Sequence, residues 1–267
     1  MNRVGAALLA ALICAIAGAA RAAPDSGREL VEESLRRHGP PPFAYEELTI
    51  VLRDAAGRQR VRTARHFRRT EPDGSVQRLI AMHSPADVRG SALLLKSKNS
   101  EPVERLLHLP ALGRTLSYDH ATGSVERLFG TDLSLADLEG ERPALHTYER
   151  EADRDLDRIP HHSIRARPAV VAGAKAVPRA TGYGQRRLFL RKDSLFLTRI
   201  DYFDRNGRLI RQQSFRDPRS DGEGAMRAAM ILLTDLRERH STLIKVDRRV
   251  HSPDYVPAQL SVAAAPQ

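Results

Sequence analysis

Three groups of residues have types and spacings from which chemistry could be built. Asp153-Arg154-Asp155-Leu156-Asp157 matches the opening of a calcium loop, where carboxylates at alternate positions converge on a hard cation. The match stops there, because Arg158 stands where the sharp turn needs glycine and Ile164 where a bidentate acid should close the shell. A solvated charged turn is the expectation. His161-His162 suggests zinc, yet adjacent residues of a strand point to opposite faces and do not converge on one ion. Asp132 and Asp137 could act as paired carboxylates, but no nucleophile, base and orienting group assembles around them, and both are assigned to backbone capping. The chain is therefore read as a non-enzyme with no catalytic residue, no metal and no cofactor.

The elements that would position these residues are mostly strands. Pro24 to His38 reads as an amphipathic helix, with Ser26-Gly27-Arg28-Glu29 as a capping box and Leu30, Val31 and Leu35 as its apolar stripe; Pro40-Pro41-Pro42 ends it. From Phe43 the hydrophobic period becomes two, and strands are expected over 47–53, 59–70, 76–83, 91–97 and 103–109, separated by Asp54-Ala55-Ala56-Gly57 and Glu71-Pro72-Asp73-Gly74 turns. Val61, Thr63, Arg65 and Phe67 are taken as one face of the second strand. Pro110 stops a strand, a further strand closes on Phe129-Gly130, Gly130 permits a tight backbone, and 133–138 alternates. Beyond a possible strand at 143–152 and an ambiguous stretch at 152–167, the Pro/Gly-rich run 167–184 reads as a long flexible loop or a poorly paired edge. Strands at 185–190, 194–203 and 207–215 follow, with Asn206-Gly207 as the sharpest hairpin signal, then a helix over 224–240 and a strand over 242–250. Met226 and Met230 on that helix could form a deformable lid over an apolar ligand or simply pack it on its own sheet.

The N-terminus has the layout of an export leader. Arg3 precedes an apolar run from Val4 to Ala20, and Ala20-Arg21-Ala22 precedes the polar Pro24-Asp25-Ser26, so residues 1–23 read as a signal peptide cleaved near Ala22 or Ala23, or alternatively as an uncleaved anchor. The only cysteine, Cys14, lies inside that run behind the bulky Ile13, which argues against lipidation. The remainder, about 245 residues without cysteine, is long enough to bury a core without disulfides. It is organised as one domain over 24–258 and a frayed tail over 259–267. The formal charge is +10, or +8 once Arg3 and Arg21 leave with the leader. Such a protein outside the cytoplasm is drawn toward anionic membrane surfaces or acidic partners. Nucleic acid is excluded by the leader, by the lack of a binding motif and by charge spread along strands.

One composite pattern carries a family resemblance. Leu109-Pro110-Ala111-Leu112 followed by Arg114, then Phe129-Gly130-Thr131-Asp132-Leu133-Ser134 and Asp137-Leu138, with Pro85 and Arg89-Gly90 upstream and 200–209 downstream, resembles the outer-membrane lipoprotein-sorting-like proteins, relatives of the LolA and LolB lipoprotein carriers. The chain departs from that family in having no tryptophan and only 5% aromatic residues. The resemblance implies an α+β fold: a strongly curved antiparallel sheet, an incomplete barrel, with an N-terminal helix and a few helices over its open side. It also implies a periplasmic carrier that shields lipid or lipoprotein acyl chains, in the context of outer-membrane biogenesis and beside an RND-type inner-membrane transporter. On that basis Leu48, Ile50, Leu52, Phe67, Ile80, Leu93, Leu95, Leu107, Leu109, Leu195 and Leu197 are the candidate groove residues. The alternative is an accessory module with a solid core that docks on the transporter or on an anionic membrane.

Overall fold

The computed structural model describes residues 26–99, 101–117, 127–169 and 183–263. Its first element is helix α1 (Gly27–His38), closed at its start by the expected capping box: the Ser26 hydroxyl accepts from the Glu29 amide, and the Glu29 carboxylate accepts from the Ser26 amide. Strands β1 (Phe43–Arg53), β2 (Gln59–Thr70), β3 (Val76–Ser84), β4 (Ala92–Lys98), β5 (Glu101–Leu109) and β6 (Arg114–Ser117) then run as an antiparallel meander. A crossing segment with a 3₁₀ turn at Leu128–Gly130 and the short helix α2 (Leu135–Glu139) leads to the second half. That half is β7 (His146–Leu156), β8 (Ile159–Pro168), β9 (Gln185–Arg191), β10 (Leu197–Phe203), β11 (Leu209–Ser220), β12 (Met226–Asp235) and β13 (His240–Val250).

The thirteen strands among the described residues form one sheet, joined in the middle where β1 pairs antiparallel with β13. β6 and β7 are its two edges and do not pair with each other, so the barrel is incomplete. Curvature follows from which strands share neighbours. β4 and β10 lie seven strand positions apart, which in a flat sheet would separate them by about 34 Å at roughly 4.8 Å per strand. Both nevertheless line one cavity. The sheet bends around that space, and the two halves face each other across it.

The concave side is covered by the first helix and by the crossing segment. α1 lies across the second half, where Leu30 and Val31 are buried against Ile164, Leu188, Leu190 and Ile200. It closes tightly on the edge strand, since a side chain at Gly27 would meet the Arg150 amide nitrogen at 3.0 Å. The crossing segment covers the first half, with Leu128, Leu135 and Leu138 on Leu93, Leu95 and Leu107.

Several elements differ from the sequence expectation. The stretch 224–240, rich in the helix formers Met, Ala and Leu, is not a helix but strand β12, its turn and the start of β13. Every residue from Met230 to Asp235 pairs on both sides, with β11 and with β13, and this tertiary pairing overrides local preference. The 133–138 segment holds α2, not an extended run. Phe129-Gly130 ends no strand; it belongs to the 3₁₀ turn, and 118–126 lie outside the described residues. The ambiguous 152–167 stretch is the β7–β8 hairpin, turning at Asp157 and Arg158, both with positive φ. The tail is not frayed over 259–263: Leu260 and Val262, with Val256, are buried on the convex face against Phe67, Leu79 and Leu94. The residues expected to form the leader, Cys14 among them, most of the expected 167–184 loop and 264–267 lie outside the described residues.

Candidate ligand-binding cavity

Between the curved sheet, the end of α1 and the crossing segment lies a cavity of about 430 Å³. Its floor is built by alternation, because every second side chain of a strand points inward. β1 contributes Glu46, Leu48 and Ile50, β2 His66 and Arg68, β3 Arg78 and Ile80, and β4 Leu93 and Leu95. Leu197, Ile200 and Tyr202 come from β10, and Ile231, Ile244 and Val246 from the paired strands β12 and β13. The roof is Leu128, Phe129, Leu133, Ala136 and Leu138. A volume of this size falls within the roughly 300–1,000 Å³ typical of small-molecule sites.

Of the eleven residues selected from sequence, Leu48, Ile50, Ile80, Leu93, Leu95 and Leu197 stand on this wall. Leu107 and Leu109 face the same side but lie beneath α2, packed with Leu128, Leu135 and Leu138. Leu52 belongs to the core with Ala64, Leu233 and Ile244, and Leu195 is buried under α1. Phe67 is on the opposite, convex face. The face taken as apolar in β2, Val61 to Phe67, points outward, and the strand's inward positions carry Arg62, Ala64, His66 and Arg68; a shift of one residue exchanges the two sets. Met226 and Met230 sit half-buried on β12 and neither lines the cavity. The crossing segment forms the roof instead. Its signal was present in Ser134-Leu135-Ala136-Asp137, a capping-box pattern ahead of apolar residues.

Asp137 holds the roof to the sheet. It completes the α2 capping box with Ser134, and its Oδ2 accepts from Arg211 at 2.6 Å, with both side chains only 3% exposed. The Tyr202 hydroxyl is 3.2 Å from Asp137 Oδ1 and donates to Gln213 Oε1 at 2.7 Å, and Arg211 also donates to the Tyr183 hydroxyl. Burial works against the charge on Arg211, but Asp137 and the two tyrosines outweigh it and hold its pKa above the ordinary arginine value. Arg62 and Arg78 add bonds from the sheet to the roof carbonyls of Phe129 and Leu138. Pro110 opens the 3₁₀ turn after β5, and Gly130, with φ +66°, lies beside the Arg62 guanidinium.

Asp132 does not cap a helix. Its Oδ2 accepts from the Thr242 hydroxyl at 2.7 Å and lies 2.9 Å from His240 Nδ1, while its amide donates to the same threonine oxygen at 2.9 Å. The acid stands between imidazole and hydroxyl, so the histidine does not activate the threonine, and the cluster pins the roof to β13. His161 is buried, hydrogen-bonded to Thr198 and to the Ile159 carbonyl, whereas His162 faces Asp153 on the other side of β8. Asp153 itself pairs with Lys192 at 2.5 Å. Among the described residues no group of three potential ligands could hold a metal.

At one end of the cavity Glu46 bonds Arg249 at 2.5 Å and His66 at 2.9 Å. Burial raises the pKa of this carboxylate, and the two partners more than reverse that, bringing it from 4.5 down to about 2. A depressed acid stabilises the fold above its unfolded pKa and loses that contribution as pH falls through the folded value. The stability lost in Glu46→Gln should therefore be full above pH 4.5 and shrink as pH approaches 2. Urea unfolding of both proteins across that window checks this; a difference independent of pH would contradict it.

The fold has known counterparts. An outer membrane lipoprotein-sorting domain from Vibrio parahaemolyticus, so described, superposes with TM-score 0.74 at 19% identity, over 84% of this chain and 91% of that one. A DUF1329 family protein from Desulfovibrio piger gives 0.74 at 20%, covering 89% and 94%, and a LolA superfamily protein from Nitrosomonas europaea 0.61 at 12%, covering 86% and 96%. These likenesses establish the fold. No curated protein matches the sequence. A family model described as an uncharacterized protein matches residues 74–255. That match takes in more than half of the chain, which thus belongs to this family, with the LolA-like half-barrel as its fold.

Proposed function

We propose that the protein is a periplasmic carrier that shields lipid or lipoprotein acyl chains from water while they pass between envelope membranes. The observation that carries this reading is the cavity itself: a largely apolar, partly open space of about 430 Å³ between a curved sheet and a roof made from a single connection. Each methylene kept from water is worth roughly 0.8 kcal/mol, which makes a multi-methylene chain prohibitively costly to release unaided into an aqueous compartment. The leader-like residues 1–23 support an exported location, and the description of the Vibrio domain as lipoprotein-sorting is consistent with the cargo class. In this reading the roof is the moving part. Its ties to the sheet are polar side-chain bonds, from Asp137 to Arg211, from Asp132 to Thr242 and His240, from Glu139 to Arg105, and from Arg62 and Arg78 to backbone carbonyls, and these would have to open and reform around a chain. The accessory-module alternative calls for a core filled by side chains, and the cavity argues against it.

Delipidated protein titrated with a fluorescent long-chain fatty acid should show saturable uptake near one chain per protein. Absence of uptake, together with no lipid in organic extracts of the purified protein, would remove the carrier reading.

A further inference from the structure

Charges on the cavity wall do not balance within the protein. Three wall residues are acids, and each is taken: Glu46 by Arg249 and His66, Asp137 by Arg211 at 2.6 Å, and Glu141 by Arg186 at 2.8 Å. Two wall cations have no such counterpart among the described residues. They are Arg68 on β2 and Arg78 on β3, which stand directly opposite each other in the sheet.

Arg68 is only 8% exposed. Its Nε donates to the Pro41 carbonyl at 2.7 Å and its Nη2 lies 3.5 Å from the Thr70 hydroxyl, but its Nη1 is buried with no hydrogen-bond partner. Arg78 donates to the Leu138 carbonyl. The acid whose charge bears on Arg78, Glu139, is already bonded by Arg105 and lies 3.7 Å from Arg142. Arg227, the other cation near Arg68, is tied to Asp221 at 3.0 Å. Burial first, then Arg78 and Arg227, lowers the pKa of Arg68 to about 10, which still leaves it charged at neutral pH.

Two like charges held side by side away from water, one with an unanswered donor, are costly until an anion joins them. A guanidinium presents a planar fork that suits the two oxygens of a carboxylate or phosphate. The same cavity continues past these arginines into the apolar surface of Leu48, Ile80, Leu93 and Leu95. We propose that Arg68 and Arg78 form a headgroup subsite, and that the cavity takes an anionic amphiphile whose carboxylate or phosphate sits on the two guanidiniums while its alkyl chain fills the apolar part. The assignment rests on the carrier reading and narrows it: the preferred cargo has a free anionic group, unlike chains held only in neutral ester or amide linkage.

The test compares three probes with one chain length, dodecanoate, dodecyl phosphate and dodecanol, titrated calorimetrically into delipidated protein at neutral pH, with inorganic phosphate as a chainless control. At least one anionic probe should bind about tenfold more tightly than dodecanol, as charge-assisted bonding to a guanidinium requires. Phosphate as the tighter partner identifies a phospholipid-type headgroup, and carboxylate a fatty acid. Arg68→Gln should bring anion and alcohol within about threefold of each other, chiefly by weakening the anion, and Arg68→Lys should restore part of the preference. Because Arg68→Gln removes an uncompensated buried charge, the free variant should melt no lower than the parent, so that loss of preference reports on binding and not on folding; Arg68→Met provides an independent variant. Equal binding of anion and alcohol by the parent, or an undiminished preference in both variants, overturns the subsite and leaves the carrier intact. Inorganic phosphate binding as well as dodecyl phosphate overturns the amphiphile assignment, and failure of all three alkyl probes overturns the carrier reading with it.

Discussion

Ile80→Trp is expected to weaken fatty-acid binding on the order of thirty-fold without unfolding the protein. Ile80 is half-buried on β3, and its side chain faces the cavity between Leu93 on β4 and His66 on β2. An indole there extends into open space and not into a packed interior, so the usual cost of overfilling a core does not apply. It does remove room for roughly two or three methylenes at about 0.8 kcal/mol each, or about 2 kcal/mol in total, and tenfold in affinity corresponds to about 1.4 kcal/mol. Val103→Trp is the control, because Val103 is 69% exposed and not on the cavity wall. Calorimetric titration should show the loss for residue 80 alone. Equal affinities for the parent and both variants would mean that chains bind elsewhere.

The largest effect on stability is expected at Asp137. Asp137→Ala strands the buried Arg211 guanidinium and removes one half of the α2 capping box, whereas the sheet beneath keeps its ladder. Breaking a buried pair from one side costs about 3–5 kcal/mol, because the remaining charge has no water to replace its partner. Pairing Asp137→Leu with Arg211→Met removes both charges and should recover much of that loss, since apolar replacement of a whole buried pair is often near neutral. Denaturant unfolding at neutral pH measures both. A loss below about 1 kcal/mol for Asp137→Ala would show that the roof is not anchored through this pair. The single variant should also release a bound chain faster than the double variant, as the roof is the part set loose.

How much of this was legible in sequence varies by element, and the reasons are physical. α1 was readable because Ser26 and Glu29 form a cap that depends on four consecutive residues, and the β-meander was readable because period-two patterning and turn residues such as Asp73-Gly74 are equally local. The Asn206-Gly207 turn closes β10 onto β11 as expected, with Gly207 at φ +78°. β12 is not legible locally because Met226 to Asp235 carries good helix formers, and it is the pairing with β11 and β13, the strands before and after it in the chain, that makes it a strand. Phe67 was misplaced for a related reason. β2 turns Arg62, His66 and Arg68 inward, and the usual rule that the apolar face is the inner one fails where a cavity needs charge. Asp137 was assigned to capping, which it does, but its bond to Arg211 spans 74 positions of sequence and no local pattern announces it. The cavity is likewise a property of curvature, which brings β4 and β10 to one space; alternation along either strand contains no trace of it.

The central claim is that a chain occupies the space beneath the crossing segment. Photo-crosslinking with a diazirine-bearing fatty acid, followed by peptide mapping, addresses it directly. Label is predicted on β1, β3 and β4 around Leu48, Ile80 and Leu93 and on the roof around Phe129 and Leu133, and it should be competed away by unlabelled fatty acid. Label confined to the convex face around Phe67, Val256 and Leu260, with the roof and the inward strand positions unmodified, would contradict the account.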